Sequence, residues 1–314
     1  MPIPTAPLKF IPLFKERIWG GRRLANLYGK ELPADARIGE SWEIVDRPEA
    51  QSVVRGGPLQ GKTLHELWQK HRAEIFGKID DTPRFPLFLK LLDAEEKLSV
   101  QVHPPAEVAR QLGGEPKTEC WYVAHAEPGA ELYVGLRKGS SRAQFEDAVA
   151  HGTVAAQIHR ITVRTGDTMF LPSGRVHAIG AGNVLVEVQQ NSDTTYRVFD
   201  WNRVDDQGAP RALHLEQSLR SIDFEDFEPE LVRPNGESLI ADALFQMDRW
   251  QLNDAREASL PGTFAIFVCL AGRVVCAGVE AAPGEFFLVP AALEDRHLRA
   301  LEPNTAVLRI TVGP

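Results

Sequence analysis

Polar side chains that could bind a metal ion alternate with aliphatic ones between residues 97 and 105 (KLSVQVHPP). Successive side chains of a β-strand face opposite sides, so Ser99, Gln101 and His103 would share one face. Such a face is typical of a polar barrel interior backed by an apolar layer. Taken alone, however, the segment is better explained as a solvent-facing strand with an incidental histidine.

A carboxylate and a cation stand close together in the segment 117–122 (KTECWY). Strand alternation places Lys117, Glu119 and Trp121 on one face. A lysine beside a glutamate is usually a surface ion pair. The same pair would also suit a metal ligand with a neighbouring cation, and both interpretations remain open at this point.

The segment 166–177 (GDTMFLPSGRVH) is the most specific of the three. Its spacing, G-x5-P-x-G-x2-H, resembles the second metal-binding motif of the cupin superfamily. The glycines suit tight turns in which a side chain would clash, and His177 then emerges at a fixed offset. The superfamily pattern expects an asparagine soon after the histidine, but Ala181 occupies that position.

Together the three segments supply two imidazoles, one carboxylate and one amide, from His103, His177, Glu119 and Gln101. A nitrogen and oxygen donor set without thiolate suits Zn²⁺, and also Fe²⁺ or Mn²⁺, with positions left open for water or substrate. The remaining histidines lack a comparable setting. The three cysteines are expected to be buried apolar residues and not ligands; they are Cys120, Cys269 and Cys276.

The elements that would position these donors are mostly strands. Short alternating apolar and polar runs separated by Gly, Pro, Asn and Asp dominate the chain and indicate antiparallel β-structure. Helices are predicted over 63–76, where Thr63 and Glu66 form a capping-box pattern, over 141–150, and near 213–221. The fold class predicted is mainly β, with two cupin (jelly-roll β-barrel) domains and a few short helices.

A domain boundary is predicted in the acidic, proline-containing segment 224–236. Residues 1–228 would form a catalytic cupin domain with inserted helices, and residues 229–314 a degenerate cupin-like β domain. A weak repeat supports this division, since GDTMFLP (166–172) and GEFFLVP (284–290) share their spacing. Only the first copy continues into a glycine and a well-placed histidine, so no metal is expected in the second domain.

Composition limits the class of partner. The 314-residue chain carries 35 Lys+Arg against 43 Asp+Glu, a formal net charge of −8, which argues against nucleic-acid or membrane-surface binding but allows a small anionic substrate. Three cysteines without CxxC spacing, and the absence of a signal-peptide-like apolar run, predict a cytoplasmic protein. The sequence does not distinguish a monomer from a homodimer.

Six motifs occur in the order seen in the short bacterial form of the type I mannose-6-phosphate isomerases, which the chain resembles over most of residues 8–220. They are WGG (19–21), GESWE (39–43), FPLFLKLLDAEEKLSVQVHPP (85–105), KTECWYV (117–123), GDTMFLPSGRVHAI (166–179) and EVQQNSDTTYRVFDWNR (187–203). The resemblance implies a zinc-dependent aldose–ketose isomerase with one Zn²⁺ per chain. It implies metal ligation by Gln101, His103, Glu119 and His177.

The resemblance also implies a sugar-phosphate site. Glu187, Asp193 and Arg197 would line the sugar, while Ser99 and Arg203 would lie near the phosphate, for which arginine suits a bidentate grip. Lys117 is in its family position too. For the proton transfer through a cis-enediol, Glu187 is the first candidate base, ahead of Asp193 and Lys117. An equally weighted interpretation makes Glu187 a carboxylate that only orients a neighbouring group.

Three other functions remain open from the sequence. Two histidines and a carboxylate also form the facial triad of iron dioxygenases, but such an enzyme would not need Arg197, Arg203 or Lys117. A non-catalytic sugar-binding protein on the same fold would tend to lose metal ligands, and all four are present. A related isomerase acting on free mannose or another hexose phosphate is the closest alternative, and Arg203 favours a phosphorylated substrate.

Overall fold

A computed structural model of the chain describes residues 6–204 and 208–313. Over this part the chain is mainly β-structure, as predicted. The strands are β1 Phe10–Ile11, β2 Leu13–Gly21, β3 Ile38–Ile44, β4 Asp46–Arg47, β5 Ala50–Gln51, β6 Val53–Val54, β7 Leu87–Ala94, β8 Val100–Val102, β9 Glu119–Ala126, β10 Glu131–Leu136, β11 Ile158–Thr162, β12 Thr168–Leu171, β13 His177–Ile179, β14 Asn183–Gln190, β15 Tyr196–Phe199, β16 Ser238–Ala241, β17 Phe245–Gln251, β18 Arg256–Glu257, β19 Ala265–Ala271, β20 Val274–Cys276, β21 Val279–Ala281, β22 Phe286–Val289, β23 His297–Ala300 and β24 Ala306–Val312.

The helices are short. They are α1 Arg23–Tyr28, α2 Leu64–Lys70, α3 Arg72–Ile75, α4 Ala106–Leu112, α5 Arg142–Ala150 and α6 Leu215–Ser221, with a 3-10 helix at Val154–Gln157. Within the described ranges, none of them is both long and apolar enough to cross a membrane. Thr63 and Ser141 cap α2 and α5 through the reciprocal side-chain bonds of a capping box. The predicted helix over 63–76 is interrupted at His71, whose φ of −137° is not helical.

The described chain divides into two compact units that interleave along the sequence. We call residues 16–21 and 92–231 the central unit, and residues 6–15, 22–91 and 232–313 the terminal unit. The predicted single boundary at 228/229 lies close to the change of unit at 231/232, but it assigned residues 22–91 to the N-terminal domain. Backbone contacts explain their grouping with the C-terminal segment, since Gly77 bridges Thr263 and Ala291 N–H donates to Ile75 C=O at 2.9 Å.

The central unit contains two facing sets of antiparallel strands. One is a five-stranded sheet in the order β11-β10-β13-β8-β15, and the other pairs β9 with both β12 and β14. Apolar side chains from both sets fill the space between them, including Trp121, Leu132, Met169, Ile179 and Leu185. Trp121 packs in this space, so the face of β9 that it shares with Glu119, as alternation predicted, is the inward one.

The opposite face of the five-stranded sheet is covered by α5, α6 and the 3-10 helix. A second cluster packs there, including Val100, Tyr133, Phe145, Ala178 and Val198. Because β10 and β13 have apolar side chains on both faces, their sequences show less of the alternation expected of a half-exposed strand.

The terminal unit repeats this architecture in residues 232–313. Its sheets run β16-β17-β24-β19-β22 and β18-β23-β20-β21, and aromatic and aliphatic side chains from both, such as Trp250, Phe267 and Leu298, pack between them. The two copies of the weak repeat end in β12 and β22. Each strand follows a glycine with positive φ, 97° at Gly166 and 78° at Gly284, which is the tight turn that the motif requires.

Asp46 is a buried carboxylate of the terminal unit with several hydrogen-bond partners. Its fully buried side chain accepts from Arg84 Nη1 at 2.8 Å, Gln51 Nε2 at 2.9 Å and Phe85 N–H at 3.0 Å, with His65 Nδ1 at 3.1 Å. Burial opposes ionisation, but these donors together hold the pKa of Asp46 below its ordinary value.

We expect Asp46→Asn to lower stability by about 2 kcal/mol at pH 7, since charge-assisted bonds are lost. A depressed carboxyl pKa stabilises the fold above the unfolded pKa, and that stabilisation is lost as the pH falls toward the folded value. The difference in melting temperature from wild type should therefore shrink between pH 7 and about pH 3. Asp81→Asn, at a 94% exposed side chain, is the matched control and should change little. If the variant lowered the melting temperature equally at both pH values, this account would be contradicted.

Candidate metal centre and substrate site

Three potential metal ligands converge in the interior of the central unit. His103 Nε2 lies 3.5 Å from Glu119 Oε2, and His177 Nε2 lies 3.4 Å from Glu119 Oε1. One donor atom from each residue falls within 4.8 Å of the others, and all three side chains are buried. The structure thus brings together three of the four ligands that the sequence predicted, in the part of the chain that it describes.

Strand pairing explains this convergence. His177 on β13 is directly opposite Gln101 on β8, and Glu119 on β9 is opposite Gln189 on β14. His103 follows the end of β8, where Gly174 N–H donates to its carbonyl at 2.8 Å. Gly174 has a φ of 99°, which a residue with a side chain adopts only with strain, so the second glycine of the motif fixes the turn that leads to His177.

Both imidazoles present an unprotonated Nε2 to the centre. His103 Nδ1 bonds the Thr194 carbonyl and His177 Nδ1 bonds the Arg175 carbonyl, each at 2.8 Å. A carbonyl oxygen only accepts, so Nδ1 carries the proton and Nε2 keeps its lone pair. Burial, with the Lys117 charge behind it, lowers the pKa of His103, and burial lowers the pKa of His177 to about 3. The rings are therefore neutral, as metal ligands must be.

The donor set fits a divalent metal ion. Both oxygens of Glu119 are buried; Oε1 accepts no hydrogen bond from a described residue, and Oε2 is paired with the Lys117 ammonium at 2.9 Å. Its oxygens and the two Nε2 lone pairs thus face one another across a small gap. The separations of 3.5 Å from His103 Nε2 to Oε2 and 3.4 Å from His177 Nε2 to Oε1 are short enough for the three side chains to share one metal ion.

Gln101, the fourth predicted ligand, borders this cluster. Its Nε2 lies 3.4 Å from His177 Nε2, so the amide is within reach of the same centre. The oxygen and nitrogen of an amide are assigned from their surroundings, and a rotation about its last bond would present the oxygen instead. Ligation by Gln101 stays a prediction.

Lys117 lies against the cluster. Its Nζ is 2.9 Å from Glu119 Oε2 and 3.3 Å from His103 Nε2, and the side chain is almost fully buried. Burial alone would lower the pKa of Lys117, but the carboxylates of Glu119 and Glu187 raise it above its ordinary value. Lys117 is therefore a fixed cation here, which makes it the weakest of the three candidate bases.

Glu187 is buried on the inward face of β14, directly opposite Trp121. Trp121 Nε1 donates to Glu187 Oε2 at 2.9 Å, and the indole ring meets His177 edge-on with centroids 5.3 Å apart. Asp193, by contrast, is exposed. Trp121 was noted in the sequence only as a neighbour of Glu119, and its role in orienting Glu187 follows from the cross-strand pairing of β9 and β14.

Arg197 on β15 is directly opposite Gln101, so both side chains leave the same face of the sheet. Its Nη1 donates to the Ala212 carbonyl at 2.8 Å, and its buried Nε has no hydrogen-bond partner among the described residues. Burial, followed by the nearby Arg211, lowers the pKa of Arg197. A guanidinium held with an unsatisfied buried N–H is suited to an oxyanion.

Two arginines, Arg203 and Arg211, bind one buried carboxylate, Asp200, near Arg197. Arg203 Nη2 and Arg211 Nη2 approach Asp200 Oδ1 at 2.5 and 2.6 Å, and both also influence the titration of Arg197. Among the described residues the cluster carries more positive than negative charge, which suits a phosphate group. Arg203 also donates to the Lys97 carbonyl at 2.7 Å, two residues before the buried Ser99.

Asp200 and Arg211 were not predicted as site residues. Asp200 lies within the conspicuous FDWNR sequence, whereas nothing local distinguishes Arg211, because its partner Asp200 is eleven positions away in the sequence. Taken together, the site combines a potential metal centre, a buried carboxylate and guanidinium beside it, and a cationic cluster.

Comparison with known proteins shows which family the chain resembles. Residues 8–117 match the model of the type I phosphomannose isomerase catalytic domain. The chain is 36% identical over 300 residues to GmuF of Bacillus subtilis, a probable mannose-6-phosphate isomerase, covering 91% of this chain and 94% of that protein. It is 39% identical over 279 residues to the mannose-6-phosphate isomerase ManA of the same organism, covering 86% and 87%.

The fold is shared as well. The crystal structure of the mannose 6-phosphate isomerase from Bacillus subtilis superimposes with a TM-score of 0.86 at 30% identity, over 98% of this chain and 100% of that one. The similarity therefore extends over nearly the whole chain, including the C-terminal segment beyond residue 220, where the sequence motifs are sparse.

Proposed function

The chain belongs to the type I phosphomannose isomerase family, and on that premise we propose that it interconverts mannose 6-phosphate and fructose 6-phosphate with one bound Zn²⁺. Membership makes it an isomerase; the substrate pair is the one that the names of its relatives indicate. The observation that carries the proposal is the buried cluster of His103, Glu119 and His177, whose lone pairs converge.

The residues fit the chemistry of an aldose–ketose isomerase. His103, Glu119 and His177, with Gln101 as the fourth ligand, would hold Zn²⁺, which when bound polarises carbonyl and hydroxyl oxygens without redox chemistry. Glu187 would take the proton from C2 of the sugar and return it at C1, through a cis-enediol. Arg197 would bind the oxyanion that develops as the proton leaves.

The cationic cluster around Asp200 supports a phosphorylated substrate. Arg203 and Arg211 would bind the phosphate oxygens, with Ser99 donating a further hydrogen bond. Asp200 would hold the two guanidinium groups in place before the substrate arrives, which limits the ordering cost of binding.

We expect Arg211→Gln to raise the KM for mannose 6-phosphate about tenfold or more while kcat changes little, because a charge-assisted bond to the phosphate is lost from substrate and transition state alike. Turnover of free mannose, where detectable, should not respond. Steady-state kinetics measures this, with Arg220→Gln on the exposed face of α6 as the matched control. A fall in kcat at constant KM would instead place Arg211 at the reacting carbons.

The test of the proposed function is a coupled assay of the interconversion before and after chelation. Activity should disappear with the chelator and return when zinc is added. Recovery should not require Fe²⁺ supplied under anaerobic conditions. Zinc-loaded protein that is inactive on this pair would overturn the proposed substrate. Free mannose and other hexose phosphates would then be tried in the same assay.

We also propose a cytoplasmic location. All three cysteines are buried as unpaired thiols, and burial raises the pKa of Cys269 and of Cys276 to about 12. Buried protonated thiols without a disulfide framework fit a reducing compartment.

A further inference from the structure

The central unit contains a second concave site, which the isomerase chemistry does not use. A cavity of about 610 Å³, which we call the outer cavity, lies beside β10, β11 and the 3-10 helix. Its main polar and aromatic lining comes from Lys97, Tyr133, Arg137, Arg160, Trp201 and Glu228. A volume of this size accommodates a small metabolite.

The outer cavity lies on the opposite face of the five-stranded sheet from the candidate metal centre. On β10, Tyr133 is paired with Ala178 and Arg160, whereas the next residue, Val134, is paired with His177. Since successive side chains face opposite sides, Tyr133 and Arg160 are directed away from His177. The outer cavity therefore lies on the other side of the sheet from His177, while the carbonyl of Lys97 accepts a bond from Arg203 of the proposed phosphate cluster.

The charge of the outer cavity opposes that of the whole chain. The protein carries a net charge of −8, yet three cationic side chains and His159 line this cavity against one carboxylate, Glu228. Arg137 makes only a long bond of 3.4 Å to the Ala156 carbonyl, so its guanidinium retains free donors in the described part of the chain. Arg160 is paired with Glu131 at 3.2 Å but remains 63% exposed.

The third cation is held in place by aromatic rings. Lys97 Nζ lies 4.7 Å from the centroid of Trp201 and 5.4 Å from that of Tyr133, and Trp201 is itself anchored by its Nε1 bond to the Leu98 carbonyl. An ammonium fixed in this way loses little conformational freedom when it binds an anion.

Backbone strain is concentrated in the same lining. Trp201 and Glu228 have φ values of 57° and 46°, in the left-handed region that a bulky side chain rarely adopts. Such conformations persist only where surrounding contacts hold them, and they cluster at functional sites. Two strained residues in one cationic cavity are an observation independent of its charge.

We propose that the outer cavity binds a small phosphate monoester, whose dianion lies between Arg137, Arg160 and Lys97. Guanidinium groups grip phosphate oxygens in pairs, and the three cations outnumber the two carboxylates beside them, Glu228 and Glu131. The remaining volume, bordered by Tyr133 and Trp201, would hold the organic part, which is a sugar or a nucleoside.

Isothermal titration of the zinc-loaded full chain tests this proposal with two probes, ribose 5-phosphate and adenosine 5′-monophosphate. The double variant Arg137→Gln/Arg160→Gln should weaken one binding event about tenfold or more. Arg164→Gln, at a 90% exposed side chain just beyond β11, is the matched charge control and should leave that event unchanged. The probe that binds more tightly identifies a sugar or a nucleoside as the organic part.

Binding at the sugar-phosphate site is recognised by its response to Arg211→Gln, which should leave the outer cavity unaffected. The proposal is overturned if the double variant binds both probes as the wild type does, or if every event is lost in Arg211→Gln alone. Because binding is measured without turnover, a chain inactive as an isomerase could still confirm the outer cavity.

Discussion

Replacing Glu119 with glutamine is expected to remove most isomerase activity by weakening the binding of the proposed zinc ion. Glu119 supplies the carboxylate between two neutral imidazoles, and its charge is what attracts a divalent cation to this buried position. We expect zinc affinity to fall at least about a hundredfold, and activity at stoichiometric zinc to fall about 10³-fold, since a bound zinc ion contributes several kcal/mol to the barrier. Zinc content by atomic emission and kcat/KM measure the two effects.

The variant also disturbs Lys117, and this effect must be separated from metal loss. With Glu119 neutral, the buried ammonium loses its nearest partner, which costs about 3–5 kcal/mol of stability. Glu119→Gln/Lys117→Met removes both charges, so it should recover stability without recovering zinc. Glu107→Gln, on the exposed face of α4, is the matched control and should leave zinc content and activity unchanged. Zinc bound as tightly by Glu119→Gln as by wild type would contradict the assignment.

Local periodicity accounts for how much of the site could be predicted. His103 and Glu119 each lie in or beside a strand, so alternation predicted which neighbours share their faces but not that those faces are buried. The spacing motif around His177 and the family resemblance indicated the interior. What pattern could not supply is the register between strands, which decides that Trp121 meets Glu187 and that Gln101 meets His177.

The helices follow the same logic. Those that begin with Thr63 and Ser141 were predicted because each cap is encoded by side chains three residues apart. Helices α1 and α4 were missed, since Arg22 and Pro105 make no side-chain cap bond. Their ends are instead marked by left-handed glycines at 29 and 113, a weaker signal in a chain with 25 glycines.

Features that depend on contacts between distant or irregular segments could not be predicted from the sequence. The grouping of residues 22–91 with the C-terminal segment depends on contacts such as that of Phe76 with Phe264, whose centroids are 5.4 Å apart. The Asp200 cluster and the outer cavity likewise join side chains separated by loops. Periodic sequence patterns do not predict such contacts, because tertiary packing alone determines them.

The structure also orders the three candidate bases. A base must be unprotonated and near the reacting carbon, and Lys117 is held as a cation by Glu119 and Glu187. Asp193 is exposed, so water competes for its carboxylate. Glu187 is buried beside the candidate metal centre, and Trp121 Nε1 orients its carboxylate. These surroundings favour Glu187 as the base over the interpretation in which it only orients a neighbour.

We therefore expect Glu187→Gln to lower kcat about 10²- to 10⁴-fold with zinc content unchanged, since the amide keeps the Trp121 bond but cannot take a proton. In D₂O, the variant should also lose exchange of the C2 proton of mannose 6-phosphate, which NMR follows without relying on net conversion. If Glu187 only orients a neighbouring group, the variant should convert the substrate more slowly but still exchange the C2 proton. Asp193→Asn, the matched carboxylate-to-amide change, should retain most exchange; if it alone abolishes exchange, the base is Asp193 and Glu187 has the orienting role.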